Sequence, residues 1–285
     1  MRIYTIDRES VSYPRRLLTI SNPPDKLYCA GDTDLLNGGA GVAVVGSRKY
    51  SLYGKQTAMM IGRHLASSGI TVISGLAYGI DAFAHQGTLE NGGKAIAVLG
   101  TALDRFYPKK NEPVFREILE KGLVVTEYEA GFKGSRYSFP ARNRIISGLC
   151  DAVVVVEAGI RSGSLITAQF ALDQGREVYA VPGNINSQFS AGTNMLIRDG
   201  ATPMIVIDDL IRNLGVEPKK ESGIEIPLGR DEIEVLEAVR ENNGVHVNEI
   251  SHRLNRTVGQ VNAIITVLEI KGAVLSYSGK IYLAK

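Results

Sequence analysis

Cysteine is scarce. Cys29 and Cys150 are the only two in 285 residues, too few and too far apart for a disulfide framework or a zinc knuckle, which fits a reducing compartment. No uncharged apolar run approaches the ~20 residues of a membrane span, because the most apolar stretch, residues 145–156, already contains Asp151. The first seven residues lack the apolar block and small-residue cleavage site of a signal peptide, so the expectation is a cytoplasmic chain with no membrane partner. Histidine is thin as well: His64, His85, His246 and His252 are scattered and no H-E-x-x-H occurs. The G-x-S-x-G elbow is missing because Ser162 stands one place late. The phosphate-loop pattern G-x-x-x-x-G-K-[ST] is missing too, since Gly54-Lys55 has no upstream glycine, and Gly39-Ala40-Gly41 precedes a strand where a dinucleotide fingerprint would follow one. These absences speak against a Walker ATPase and an ordinary NAD enzyme, and no cofactor or metal is expected. A net charge of +2 names no partner by itself; nucleic-acid binding would require the charge to be concentrated locally.

What is present is a beat. Short apolar runs begin near Val42, Ile70, Ala95, Leu123, Ala152, Glu177 and Met204, at steps of 25–29 residues. Continuous apolar runs suit strands buried on both faces, and such a step leaves room for a helix between them, the pattern of a parallel, doubly wound sheet. Residues 1–41 form a Pro- and Gly-punctuated lead-in, 42–212 the α/β domain, 213–227 a linker and 228–285 a small terminal domain. In the last of these, helices are expected at 232–241, 248–254 and 257–271, followed by strands near 274–277 and 280–283, a winged-helix pattern.

Ligands of an open parallel sheet sit outside the carboxyl ends of the strands. Two such ends, Gly46-Ser47-Arg48 and the loop Gly159 to Leu165 with Arg161, Ser162, Gly163 and Ser164, offer small residues, hydroxyls and cations to a phosphate. The alternative is that strand-to-helix turns are Gly/Ser-rich for geometry alone. The strongest local signal is residues 131–149, which carry Lys133, Arg136, Arg142 and Arg144 with no acid, interleaved with Phe132, Tyr137 and Phe139. Guanidinium groups can track phosphates while an aromatic face stacks on an unpaired base, so the pattern points to single strands. A competing reading makes Phe139-Pro140 a core plug and pairs Arg142 and Arg144 with Glu127, Glu129 or Asp151.

Gly46-Ser47-Arg48 with Tyr53-Gly54, Ser74 to Asp81, Phe139 to Leu149, Glu157-Ala158 with Arg161 to Ala168, and Val181-Pro182-Gly183 together resemble the DNA processing protein A family (DprA/Smf). The resemblance runs from about Tyr13 to Leu210, and the terminal piece is similar to the winged helix that many members carry. It implies an extended Rossmann-like, mostly parallel α/β sheet with a small C-terminal winged-helix-like domain. It further implies single-stranded DNA as ligand, delivery of incoming DNA to the RecA recombinase in natural transformation, and a homodimer built through the α/β domain. Matched by motif, Arg48 would hold phosphate, Arg136 would stand where the family often has lysine, Phe139 would stack a base, and Ser162-Gly163-Ser164 would supply backbone and hydroxyl donors; Gly46, Ser47, Lys133, Arg142, Asn143, Arg144 and Arg161 complete the nucleic-acid-binding set the resemblance implies. No stretch of this sequence resembles the helical N-terminal module that many longer members carry, so roles tied to that module are not expected from these residues.

Two rivals stand beside it. A nucleotide phosphoribohydrolase uses a related sheet, but its phosphate loop ends in an acid where this sequence has Thr167. A winged-helix transcription regulator would bring cations or bidentate amides to base edges, yet residues 257–270 carry no Lys or Arg. Residues 230–285 balance seven cations against seven anions; Gln260 and Asn262 are what such a regulator would have to use.

Overall fold

The computed structural model describes residues 2–219, 228–277 and 279–283. The chain divides into two compact units, Met1–Glu221 and Ser222–Lys285.

The first unit opens with β1 (Tyr4–Asp7), α1 (Arg15–Leu18) and β2 (Lys26–Gly31), then takes up the βα beat. The beat runs β3 (Gly41–Val45), α2 (Leu52–Ser67), β4 (Thr71–Ser74), α3 (Ile80–Glu90), β5 (Ala95–Val98), α4 (Glu112–Lys121) and β6 (Leu123–Thr126). After α5 (Ser138–Ala141) and α6 (Asn143–Leu149) it continues with β7 (Ala152–Val155), α7 (Ser164–Asp173), β8 (Glu177–Ala180), α8 (Ala191–Arg198), β9 (Thr202–Pro203) and α9 (Ile207–Asn213). The strands lie in the order β1-β2-β6-β5-β4-β3-β7-β8-β9. From β6 to β9 neighbouring strands are parallel, while β1 and β2 are joined to the β6 edge in antiparallel fashion. Val42 faces Val72 on one side and Ala152 on the other, and the side chains of β3, β5, β6 and β7 are buried throughout. That burial on both faces is why the runs are continuous rather than alternating.

Residues 1–41 are part of this unit: Ile6, Tyr13, Leu17, Leu27 and Cys29 lie in the same core cluster as Val45, Val98 and Val155. The strand expected from Met204 is replaced by the two-residue β9 and by α9, whose first turn carries Asp208 and Asp209 where a helix N-terminus favours negative charge. Of the linker expected over 213–227, Leu214 and Val216 pack on the core, and residues 220–227 lie outside the described residues. Helices α2 and α3 pack closely through glycine. A Cβ at Gly62 would meet the Ala84 carbonyl oxygen at 2.4 Å, and one at Gly87 the Met59 carbonyl oxygen at 2.2 Å.

The second unit holds α10 (Arg230–Glu241), β10 (Val245–His246), α11 (Val247–Arg253), α12 (Val258–Ile270), β11 (Val274–Tyr277) and β12 (Lys280–Leu283), with sheet order β10-β12-β11. This is the expected winged helix with one further short strand. Val261, Ile265 and Leu268 of α12 face its own core with Val235, Val239 and Ile281. Among the described residues no helix is long and apolar enough to cross a membrane.

Candidate nucleic-acid interface

The sheet order places a topological switch at β3. The chain leaves β3 toward β4, β5 and β6 on one side, then crosses to β7 on the other. Diverging connections leave a crevice at the carboxyl ends of β3 and β7, and the two small-residue loops, Gly46-Ser47-Arg48 and Ser162-Gly163-Ser164, meet there. A cleft of about 480 Å³ is lined by both loops together with Lys49, Ala77, Asp81, Arg136, Phe139, Arg142, Asn143 and Thr167.

Each wall has a reason. Ser51 caps α2 by accepting from the Gly54 amide at 3.0 Å, and donates its hydroxyl to Glu157 at 2.5 Å. The buried Glu157 carboxylate thereby ties the start of α2 to the end of β7, and Gly54 must be glycine because a Cβ there would lie 2.1 Å from Glu157 Oε2. Ser47 donates its amide to the Glu157 carbonyl at 2.7 Å, which fixes the loop after β3. Across the cleft, the buried Asp81 accepts from the amides of Gly46, Gly75 and Ala77 at 3.2–3.4 Å. Burial pushes the Asp81 carboxyl above its ordinary range, against the opposing pull of Arg142 and those amides. Leu76 takes a left-handed φ of 49°, a conformation that costs a non-glycine residue free energy. Its side chain is fully buried and its carbonyl accepts from Asn111 at 3.0 Å. The turn thus delivers Ala77 to the cleft.

The aromatic element comes from the segment before α6. Ser138 donates to the Gly100 carbonyl at 2.7 Å, and the Phe139 ring lies so close to Gly100 that a Cβ there would meet Phe139 Cδ1 at 2.8 Å. The Arg48 guanidinium lies 5.7 Å from the centroid of that ring. Behind Phe139 is a smaller pocket of about 50 Å³, bordered by Tyr78, Tyr107 and Arg142. Arg136 is exposed and lies 4.7 Å from the centroid of Tyr137, itself 67% exposed. At the opposite wall, α7 begins at Ser164, with the Ser162 and Ser164 hydroxyls 2.8 Å apart and the positive end of the helix toward the cleft.

Ten residues singled out by sequence therefore line one cleft: Gly46, Ser47, Arg48, Arg136, Phe139, Arg142, Asn143, Ser162, Gly163 and Ser164. Two of them are framework. Arg142 is 5% exposed and donates to the carbonyls of Gly75, at 2.7 Å, and Val98, and to Asn143 Oδ1 at 3.0 Å. Burial, and then the neighbouring Arg48, lower its pKa to about 10, so it remains a cation at neutral pH. Asn143 passes the constraint on by donating to the Gly163 carbonyl at 3.3 Å. Arg144 is corrected from strand contact to structural pair: both Glu127 oxygens accept from it at 2.7 Å, and its Nε donates to the Asn22 carbonyl at 2.8 Å. With its fork committed to a mostly buried, bidentate carboxylate, this guanidinium is not offered to the cleft. Lys133 and Arg161 are exposed and outside the cleft lining. Phe132 stacks on Tyr128 with centroids 4.4 Å apart. Lys49 lines the cleft and Tyr78 the small pocket beside it, and neither is named as a site residue from sequence; Lys49 follows Arg48 directly and Tyr78 stands in a glycine-flanked strand end. Among the described residues no group of three His, Cys, Asp or Glu side chains is placed to hold a metal ion.

The family model for DNA recombination-mediator protein A matches residues 4–215. The chain belongs to this family. The model of the DprA winged helix domain matches residues 219–280. Among relatives, protein Smf of Synechocystis sp. is 42% identical over 216 residues, covering 75% of this chain and 54% of its own length. DprA of Streptococcus pneumoniae is 47% identical over 189 residues, 66% of each chain. The chain thus spans about half the length of the Synechocystis relative, and 56% of that of Escherichia coli Smf. Solved family structures agree with the fold. The X-ray structure of DprA from S. pneumoniae superimposes with a TM-score of 0.71 at 42% identity, covering 74% of each chain. DprA from Helicobacter pylori, whose structure is described as revealing a single-stranded DNA binding mode, superimposes with a TM-score of 0.69 at 33% identity, covering 75% of this chain and 96% of its own.

Proposed function

We propose that the chain binds single-stranded DNA in the cleft between β3 and β7, protects the incoming strand and helps to load the RecA recombinase on it during natural transformation. The observation that carries this is the Arg48 guanidinium set over the half-exposed Phe139 ring at the mouth of the cleft. An unpaired base can stack on that ring, for about 1–3 kcal/mol, while Arg48 and Arg136 hold the flanking phosphates. In a duplex the base faces are covered by their neighbours, so the ring has nothing to receive. The family's description as a recombination mediator and the single-stranded DNA bound by the H. pylori relative support the same reading. We assign the protein to the cytoplasm and to a homodimer through the α/β unit; the exposed Ile205 and Val206 beside the β9 edge are surface that such pairing would cover. The test is competition between a thymidylate strand and a blunt duplex of equal length. The strand should win by a wide margin and lose affinity as salt rises, because phosphate contacts release counterions; equal affinity would sink the proposal.

A hydrolytic role finds no agent in the cleft. Glu157 is held by Ser51, Asp81 is held by three backbone amides, and Thr167 stands where a phosphoribohydrolase would place its acid. Incubation with ATP and AMP should release neither phosphate nor free adenine on chromatography; turnover that follows the protein through purification would refute this.

A further inference from the structure

A second groove, of about 260 Å³, adjoins the small pocket behind Phe139, and Tyr78 lines both. Its floor is an aromatic cluster that the core does not enclose. The Tyr50 ring meets Phe83 edge-on at 4.8 Å and Tyr78 at 5.9 Å, and Tyr78 is 37% exposed. Two ammonium groups stand over these faces: Lys55 Nζ is 5.2 Å from the Phe83 centroid and Lys110 Nζ 5.0 Å from that of Tyr78. The lysines come from different elements, α2 and the turn before α4, so one helix face does not account for their convergence. No Asp or Glu lines the groove among the described residues. A hydrogen bond from Tyr50 and the Lys110 ammonium draw the Tyr78 phenol below its ordinary range, in keeping with a positive local field.

Half-exposed rings with cations held over them match a ligand that brings flat faces and negative charge together. An acidic peptide would use the charge and leave the rings idle; an apolar peptide would bury the lysines without a partner. We propose that this groove takes further unpaired nucleotides of the strand seated at Phe139, with bases against Tyr50 and Tyr78 and phosphates toward Lys55 and Lys110. The proposal rests on the cleft being the single-strand site. It makes the track longer than one cleft: Phe139, then Tyr78, then Tyr50.

The experiment uses the whole chain and two thymidine oligomers, one of about four nucleotides, enough for the first cleft, and one of about twelve, within the range known for single-strand modules. The double variant Lys55→Gln/Lys110→Gln should bind the short oligomer within about twofold of the parent. It should bind the long one about tenfold or more weakly, with a log–log salt slope shallower by about 1.4, the change for two lost contacts at ~0.7 each. Tyr50→Leu should weaken the long oligomer with the slope unchanged, and thermal unfolding of each variant should match the parent. Long-strand binding indifferent to all three changes, or short and long strands weakened alike, would overturn the extended track. Arg48→Ala separates the two readings. If it abolishes short-strand binding while the groove variants do nothing, the extension alone fails; if it leaves short-strand binding intact, the cleft fails and the extension with it.

Discussion

Arg48 leaves its guanidinium in solvent beside a ring, whereas Arg142 spends its donors on the carbonyls that end β4 and β5. A cation that deep is tolerable only because those acceptors and the nearby Asp81 replace its water. His85 shares that interior and shows its cost. Its Nε2 bonds the Ile96 carbonyl at 3.3 Å, which makes Nε2 the protonated nitrogen, and its Nδ1 has no protein partner. Burial lowers its pKa from 6.5 to about 4, with Arg142 adding to the effect against the Ile96 hydrogen bond. The unfolded chain therefore takes up a proton near pH 6.5 that the native state refuses until about pH 4. This contribution to stability is intact above pH 6.5 and is lost progressively as pH falls toward 4, by about 3 kcal/mol. Urea midpoints measured across that window should fall steeply for the parent and less steeply for His85→Gln; parallel slopes would show that His85 does not titrate as described. The sequence alone could not separate the three arginines of the 131–149 segment, because separation depends on carbonyls and a carboxylate brought in from other strands. Glu127 was among the partners the competing reading named for Arg144; the carbonyls of Gly75 and Val98 carry no side-chain signature.

At the scale of elements, the cleft is a set of strand ends tied to helix starts, and the Glu157 link between β7 and α2 is one of the close ones. Gly54→Ala would drive a Cβ to within 2.1 Å of the Glu157 carboxylate. Because that carboxylate already holds the Ser51 amide and hydroxyl, it has little freedom to retreat. The substitution should cost about 1–3 kcal/mol, as overpacking usually does, and should weaken single-strand binding by shifting the loop that bears Arg48. Thermal unfolding and a strand titration check both; an unchanged midpoint with unchanged affinity would mean that the contact is slack. The parallel strands were legible because burial on both faces writes them as unbroken apolar runs at a helical spacing. The antiparallel β1 and β2 have no crossover helix to set a rhythm and are separated by a stretch that holds Pro14, Pro23 and Pro24, so their place in the sheet was not legible. Met204 to Ile207 reads as a strand by composition, but the acids Asp208 and Asp209 favour a helix start at Ile207, and the strand that forms is the preceding pair Thr202–Pro203.

For the molecule as a whole, a net charge of +2 conceals an uneven distribution. The cleft carries Arg48, Lys49, Arg136 and Arg142 against one buried acid, Asp81. The winged helix consumes cations internally: Arg256 bonds Asp231 and Glu234 at 2.7 Å each, Lys271 bonds Glu232 at 2.7 Å, and Arg253 bonds Glu241. The equality of seven cations and seven anions was visible in the sequence; that several are paired face to face across α10 was not. With those cations paired, fewer are left for the phosphate contacts that give DNA binding much of its strength, and α12 turns Val261, Ile265 and Leu268 inward. Single-stranded DNA should therefore be held by the first unit. The most direct measurement is photo-crosslinking of the intact protein to a thymidylate strand carrying one iodinated uracil, followed by peptide mapping. Adducts should concentrate on Phe139 and its neighbours at the cleft, and should disappear for Arg48→Ala at a strand concentration that saturates the parent. Adducts confined to residues 228–283, or a cleft adduct indifferent to Arg48, would contradict it.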